Sequence, residues 1–186
     1  PRGMSSAASD VYKRQMDYTA GVVDLRFGEN QGLSSTVARQ LALMVVIYSP
    51  LQMAADLPRN YVDEKGVEHP GFTFIKDVPA DWEESIALAG EIGEYFVIAR
   101  KDRHSGDWYL AAVTNEEART IEVPLDFLAS NTQYQAQTYR DGEHAHWLNN
   151  PHDFVVQQST ANAKQKAQLK LAPGGGIAIR YAAQAE

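Results

Sequence analysis

Residues 49–58 read Ser-Pro-Leu-Gln-Met-Ala-Ala-Asp-Leu-Pro, and this stretch is the most informative part of the sequence about the fold. A proline ends the apolar segment before it, because the residue preceding proline is pushed out of helical geometry. The short run that follows has the length of a buried strand and leads to a carboxylate and a second proline. This order is typical of the last strand of a (β/α)8 barrel, where polar side chains follow the strands at the catalytic rim. We therefore treat Gln52 and Asp56 as candidates for the substrate side of such a rim.

The segment before this stretch predicts a helix that is apolar on most of its faces. Apolar residues recur at helical spacing over residues 37–48 but also occupy other faces of the same helix. We expect the helix to begin near Thr36, where Ser34 or Ser35 would accept a hydrogen bond from a free N–H group. In a complete barrel its neighbours would cover it. Without them we expect either self-association through this exposed barrel remnant or docking of the helix against the β-domain.

Beyond residue 58 the sequence predicts a surface loop over residues 60–71. Residues 72–82 then fit either a strand or a short helix, and we favour a helix packed by Phe74, Ile75 and Trp82. After this helix the apolar period changes to two, with Gly, Asn and Asp between the runs, as in an antiparallel β-sandwich. The predicted strands cover residues 84–89, 95–100, 108–114, 120–125, 134–139, 154–158, 168–171 and 177–181. In the strand at 108–114 both faces are apolar, and the pattern does not say which one meets the core.

The predicted fold is therefore mixed: a remnant of a (β/α)8 barrel, with its last strand and helices, followed by an antiparallel β-sandwich of about eight strands. A whole barrel takes roughly 250 residues, so we expect this chain of 186 residues to be part of a larger enzyme. The predicted domains are the barrel end at 16–83 and the β-domain at 84–186. Residues 5–15 resemble a translated sequencing adaptor, and residues 1–15 are predicted to be a non-native or disordered leader; a natural polar linker is the alternative.

The composition narrows the classes of partner. The net charge is −7, which argues against nucleic acid or an anionic membrane as a partner. The chain has no cysteine, so thiol catalysis and cysteine-based metal sites are excluded. No apolar run reaches the roughly 18 residues that a membrane-spanning helix needs.

Four motifs in order resemble the C-terminal part of glycoside hydrolase family 97. They are MDYTAG at residues 16–21, ARQLALMVVIYSPLQMAADLPRNY at 38–61, FIKDVPADWEES at 74–85 and LKLAPGGGIAIRY at 169–181. Members of that family are α-glucosidases and α-galactosidases in which a catalytic (β/α)8 barrel is followed by an antiparallel β-domain. Family members usually have proline after Asp-Tyr-Thr, whereas this chain has Ala20, so the turn is less fixed.

The resemblance implies a calcium-dependent parent enzyme that cleaves α-glycosidic bonds in oligosaccharides. The family's catalytic glutamates and calcium ligands belong to motifs upstream of residue 16, so we expect no catalytic residue and no metal ligand in this chain. The chain alone should then be inactive and bind no calcium. The resemblance also implies a bacterial protein of the periplasm or the exterior. It leaves open whether the parent enzyme retains or inverts the anomeric configuration, and whether it is specific for glucose or galactose.

Four residues are candidates for the substrate side of the parent barrel. Asp56 is the first, although it is also expected to cap the following loop or to pair with Arg59. Asp17, Tyr18 and Gln52 share this status. Tyr18 is predicted either to stack on a sugar ring or to be a buried tyrosine with a bonded hydroxyl.

Other chemical groups have plainer interpretations. Glycoside hydrolysis needs two converging carboxyl groups, but the adjacent acids at 83–84 and 116–117 would point to opposite faces of a strand. His144, His146 and His152 lie close in sequence around a tryptophan and invite a zinc site. No third ligand position is evident, so we interpret them as solvated loop histidines.

Two further features each have a functional and a structural interpretation. The glycines at 174–176 lead into a strand without a lysine or helix, which favours a turn with unusual dihedral angles over a phosphate loop. Trp108, Trp147, Tyr134 and Tyr139 would form a carbohydrate-binding face if exposed. This is the alternative function, a non-catalytic carbohydrate-binding or structural β-sandwich module, and burial of these rings would count against binding.

Overall fold

The computed structural model describes residues 17–27 and 31–184, so the predicted leader at 1–15 lies outside the described residues. In these residues, strands and helices both occur before residue 82, and only strands occur after it. The strands are β1 (Asp17–Ala20), β2 (Arg26–Phe27), β3 (Gln31–Gly32), β4 (Leu51–Ala54), β5 (Trp82–Glu91), β6 (Tyr95–Asp102), β7 (Trp108–Thr114), β8 (Arg119–Pro124), β9 (Tyr134–Asp141), β10 (Phe154–Ala161), β11 (Lys166–Leu171) and β12 (Gly176–Ala183). The helices are α1 (Val37–Val46), α2 (Pro58–Tyr61) and α3 (Pro70–Asp77).

A six-stranded antiparallel sheet forms the centre of the β-domain, with the strand order β10-β9-β12-β7-β6-β5. Strands β8 and β11 form a separate antiparallel pair that packs on one face of this sheet. All of the strands predicted after residue 83 are confirmed, within a few residues at their ends. The sandwich is unequal: one layer has six strands and the other has two. Helices cover the other face of the six-stranded sheet.

Both faces of β7 are buried, which answers the question that its sequence leaves open. Trp108 and Leu110 pack towards β8 and β11 in one apolar cluster. Tyr109 and Ala111 pack on the opposite side against α1 and α3. A central strand that is covered on both faces reads as a continuous apolar run, so the sequence contains no alternation to indicate a single core side.

Helix α1 is the main cover of the second face. Leu41 and Val45 are fully buried against the six-stranded sheet. Of the two outcomes expected for this helix, the structure shows docking against the β-domain, and the helix is not exposed. What stays exposed in this region is β4, where Leu51 and Met53 keep 52% and 45% of their surface in solvent.

The start of α1 differs from the predicted one in its cap. Thr36 is the N-cap residue, and its hydroxyl accepts a hydrogen bond from the N–H of Arg39 at 3.2 Å. Ser34 and Ser35 precede the cap and do not perform this role. The helix ends at Val46, a little before the predicted end.

The glycines at 174–176 serve both a turn and a close contact. Gly174 has φ +64°, a left-handed conformation that confirms the turn hypothesis. At Gly176 an added Cβ atom would lie 2.7 Å from the Cα of Arg39 and 3.0 Å from the carbonyl oxygen of Ala112. Only glycine therefore allows α1 to lie this close to the sheet.

Strands β1 and β4 pair in parallel, from Asp17 opposite Leu51 to Ala20 opposite Ala54. Because α1 lies between them in sequence, they form one βαβ unit, the unit that α/β barrels repeat. A single pair of parallel strands does not establish a barrel, so the origin of this unit in a barrel stays a proposal.

The second predicted helix is confirmed as α3, with a different extent. It begins at Pro70 and ends at Asp77, and Trp82 belongs to β5 instead of the helix. The predicted loop over 60–71 therefore contains the end of α2 and the first residues of α3. None of these helices, nor any other in the described part of the chain, is long and apolar enough to cross a membrane.

Candidate functional site

Asp56, directly after β4, is the most heavily hydrogen-bonded of the candidate side chains. One carboxylate oxygen, Oδ2, accepts from the N–H groups of Val23 and Asp24, both at 2.8 Å. The other, Oδ1, accepts from the N–H of Leu57 at 2.7 Å and from Nδ2 of Asn60 at 2.6 Å. The carboxylate thus joins the loop after β1 to the beginning of α2.

These contacts determine the charge state of Asp56. Partial burial raises the pKa of the carboxyl group, but the hydrogen bonds from Asp24, Asn60, Leu57 and Val23 outweigh it and hold the pKa below its usual value. The group is therefore ionised at neutral pH. Of the two structural roles predicted for it, the contacts favour the loop cap, and its substrate-side role stays a prediction.

Gln52 and Tyr18 are brought together, on the face of the β1–β4 pair that meets α1. They lie opposite each other in the parallel register. Nε2 of Gln52 donates to the carbonyl oxygen of Met44, near the end of α1, at 2.8 Å. Burial raises the pKa of Tyr18 while the guanidinium of Arg39, also on α1, opposes the rise.

The position of these two side chains has a consequence for the predicted rim. In a (β/α)8 barrel the helices surround the strands, so a side chain that meets a helix points away from the barrel interior. Thr19, Leu51 and Met53 lie on strand positions that alternate with Tyr18 and Gln52, and all three are exposed. Substrate-side roles for Tyr18 and Gln52 stay predictions, and Leu51 and Met53 are the residues that such a barrel would face inward.

Asp17 and Asp56 lie at opposite ends of the strand pair. Asp17 is the first residue of β1, opposite Leu51 at the start of β4. Asp56 lies two residues beyond Ala54, the last residue of β4. The two residues therefore belong to different ends of the unit.

The adjacent acids predicted to lie on the surface do so. Glu83, in β5, forms an ion pair with Lys101 at 2.8 Å. Glu117 contacts Arg119 at 3.4 Å. Residues 116–117 form a bend and not the strand that the sequence analysis assumes. Both acids remain largely in solvent. Neither pair offers the two converging carboxyl groups of a glycosidase.

The three histidines have structural contacts in the loops around β10. Nε2 of His152 accepts from the N–H of Leu25 at 3.3 Å, and Nδ1 of His146 accepts from the N–H of Leu148 at 3.1 Å. His144 lies on the surface nearby. Within residues 17–27 and 31–184, no three His, Asp or Glu side chains come together as a group that could hold a metal ion.

Asp141 is a buried carboxylate that the sequence interpretation missed. It is only 4% exposed, and Oδ2 accepts from the N–H groups of Ala172 at 3.2 Å and Gly176 at 3.0 Å. Its Oδ1 has no hydrogen-bond partner among the described residues. Burial raises the pKa to about 6, although the hydroxyl of Thr36 and the two backbone N–H groups lower it. An Asp-Gly pair after a strand is ordinary turn chemistry, so the sequence contained no indication of burial.

A groove of about 870 Å3 opens where β8 and β11 leave β9 and β10 uncovered. Its exposed lining is polar and includes Gln157, Ser159, Gln168 and Lys170. Of the four rings that would suit a sugar, Trp108, Tyr134 and Tyr139 are buried in the two cores. Trp147 is half-buried and stacks on the ring of His146. The burial of the first three rings counts against a carbohydrate-binding face on this domain.

Comparison with known proteins places these features in a family. Residues 81–182 match the family model described as "Glycosyl-hydrolase 97 C-terminal, oligomerisation". Two curated relatives are bacterial. A retaining α-galactosidase of Bacteroides thetaiotaomicron is 40% identical over 146 residues, which are 78% of this chain and 20% of that protein. A probable retaining α-galactosidase of Streptomyces bingchenggensis is 32% identical over 110 residues, which are 59% of this chain and 16% of that protein.

Solved structures agree on the fold. A glycoside hydrolase family 97 enzyme from Pseudoalteromonas sp. strain K8, in complex with acarbose, is similar with 49% identity and a TM-score of 0.84. The match covers 92% of this chain and 27% of that one. A β-arabinopyranosidase is similar with 26% identity and a TM-score of 0.72, over 89% of this chain and 25% of that one. The chain thus spans about a quarter or less of the proteins it resembles.

Proposed function

This chain belongs to glycoside hydrolase family 97, and from that premise we propose that it is the C-terminal part of an α-glycoside hydrolase. Residues 16–83 would end the catalytic (β/α)8 barrel, and residues 84–186 would form a β-domain that braces the barrel and supports assembly. The family model that matches 81–182 names oligomerisation in its description, which supports the second role.

The docking of α1 on the six-stranded sheet carries this proposal. At its beginning, the N–H of Val37 donates to the carbonyl oxygen of Pro151 at 3.1 Å. At its end, Nη2 of Arg100 donates to the carbonyl oxygen of Val46 at 3.3 Å, where a cation also complements the helix dipole. Between them, Gly176 permits direct contact of helix and sheet. The βαβ unit is thus anchored on the β-domain at three points.

Helix α3 adds a second attachment. Nη1 of Arg180, in β12, donates to Oδ2 of Asp77 at 2.8 Å, at the end of α3. The hydroxyl of Tyr109 donates to the carbonyl oxygen of the same aspartate at 3.0 Å. Helices α1 and α3 therefore rest on the same face of the six-stranded sheet, as a brace for the end of a barrel requires.

For the substrate we propose α-glucosides or α-galactosides in oligosaccharides. The names of the two bacterial relatives support a galactoside, and the acarbose complex belongs to a family member of unstated specificity. For the location we propose the periplasm or the exterior of a bacterium, as the family resemblance implies; the two curated relatives are bacterial. Calcium in the parent enzyme stays a prediction, because the described residues form no cluster that could hold it.

A chimera tests the bracing role. The homologous segment of the Pseudoalteromonas enzyme would be replaced by residues 17–184 of this chain, and hydrolysis of p-nitrophenyl α-glycosides would be measured. We expect activity to be retained, and Gly176→Val to reduce it at least tenfold because α1 can no longer seat. Ala87→Val, on the exposed edge strand β5, is the matched control. If the Gly176 variant stays as active as the control, the β-domain does not support catalysis through this contact.

A further inference from the structure

Strand β10 is an edge of the six-stranded sheet with no protection against pairing. Its sequence, FVVQQSTA over Phe154–Ala161, has no charged residue and no proline. It pairs with β9 in one unbroken register over its whole length. Charges, prolines and bulges are the devices by which proteins block exposed sheet edges, and β10 has none of them.

The other edges of the β-domain carry such devices. Strand β5, at the opposite end of the large sheet, has three glutamates and two register shifts in its pairing with β6. Strand β8 contains Arg119, Glu122 and Pro124, and β11 contains Lys166 and Lys170. Among the edges within the matched domain, β10 alone lacks them.

The outer side of β10 is open. Apart from its ladder to β9, no backbone hydrogen bond from another described residue reaches Phe154–Ala161. In an antiparallel strand, alternate residues direct their N–H and C=O groups to each side, so half of these groups face outward. The side chains at 156–160 are exposed on both faces. The edge is therefore available to another strand.

We propose that β10 pairs with β10 of a second copy of this chain, antiparallel and about a twofold axis, to join the two six-stranded sheets. The occupant is a second copy because the strand is neutral and complementary to itself: the amides and hydroxyls at 157–160 bond to their own kind without charge repulsion. This inference rests on the assembly role in the proposed function and on the oligomerisation named for the matched domain. One strand pair is a small interface, so we expect a dissociation constant on the order of micromolar.

Sedimentation equilibrium of the whole chain tests the pairing. The variant Gln157→Lys with Ser159→Lys places two charges on exposed positions of β10. The matched control, Thr120→Lys with Gln168→Lys, places the same charge on exposed positions of β8 and β11. We expect a monomer–dimer equilibrium that the β10 variant weakens at least tenfold, about 1.4 kcal/mol, and that the control changes less than twofold. Circular dichroism checks that both variants fold.

A second readout does not depend on any variant. Hydrogen exchange of the unaltered chain should give slower exchange of amides in 154–161 as the concentration rises through the dimerisation range. A dimer that the control weakens as much as the β10 variant, or one that leaves exchange in 154–161 unchanged, would overturn the edge pairing and leave assembly intact. A chain that stays monomeric at every concentration would overturn the edge pairing and the assembly role together.

Discussion

At the scale of single residues, Asp56 and Asp141 are two carboxylates whose surroundings move their pKa values in opposite directions. Asp56 is partly exposed and accepts four hydrogen bonds, so its charged form is favoured. Asp141 is deeply buried, and burial raises its pKa, which favours the neutral form more than in an exposed aspartate. The sequence indicated Asp56 because it follows a strand and precedes a proline. Asp141 could not be predicted, because its burial depends on α1 and on the loop at 172–176, which are distant in sequence.

Replacement of Asp56 should destabilise the chain through the loop that it caps. We expect Asp56→Ala to lower the free energy of unfolding by about 1–3 kcal/mol, because the N–H groups of Val23 and Asp24 lose their acceptor. Urea denaturation measures this. Arg59→Ala is the control and should change stability by less than about 0.5 kcal/mol. Equal losses in both variants would mean that Asp56 acts through Arg59.

Asp141 should make stability depend on pH. Its pKa rises from 3.8 in the unfolded chain to about 6 in the fold, so the folded state holds this proton more tightly. The stabilisation is fully present below pH 3.8 and is lost as the pH rises through about 6, a change on the order of 3 kcal/mol. Asp141→Asn does not titrate. The free energy of unfolding of the variant, relative to the unaltered chain, should therefore rise from pH 4 to pH 7, and a constant difference would contradict the assignment.

At the scale of elements, the strands were predictable and the partner of α1 was not. A period of two with Gly, Asn and Asp turns is a local pattern, and it predicted the strands after residue 83. The apolar surface of α1 predicted that something must cover it, but the cover is formed by β7 and β12, more than sixty residues away along the chain. The sequence favours a turn at Gly176. Its close contact with α1 could not be predicted, because a glycine in a sequence does not distinguish a turn from a close contact.

The cover that α1 provides should make the whole chain less prone to association than a shorter chain that lacks this helix. A chain that begins at residue 78 lacks α1 and α3 and would expose Tyr109, Ala111 and Ala178 on the sheet. We expect this shorter chain to associate more than the whole chain in light scattering, because an apolar sheet face is left open. Lysine at Leu43 and Val46, which are only half-buried, should have little effect on the whole chain. A shorter chain that is the more monodisperse of the two would contradict this.

At the scale of the whole molecule, the chain is a βαβ unit joined to an unequal β-sandwich through one continuous apolar contact. The family resemblance read from four motifs is confirmed, and the match at 81–182 identifies the β-domain. The substrate-side residues are a different matter: their chemistry depends on the parts of the relatives that this chain does not span.

The whole chain should hydrolyse no α-glycoside by itself, because neither the acids at 83–84 nor those at 116–117 converge on one bond, and Asp17 and Asp56 lie at opposite ends of the β1–β4 pair. Purified protein would be assayed on p-nitrophenyl α-glucoside and α-galactoside with calcium present. Turnover at the rate of an intact glycosidase would show that catalytic groups lie within these residues.

We expect α1 and the six-stranded sheet to form one cooperative unit. Native-state hydrogen exchange of the amides in α1 measures this most directly, with those of β7 and β12 as the internal reference. We predict that the protected amides of the helix exchange with the same free energy as the two strands, because the helix can open only when the sheet opens. Helix amides that exchange far faster than the strands, at a free energy near zero, would show that the helix opens independently and would contradict the claim.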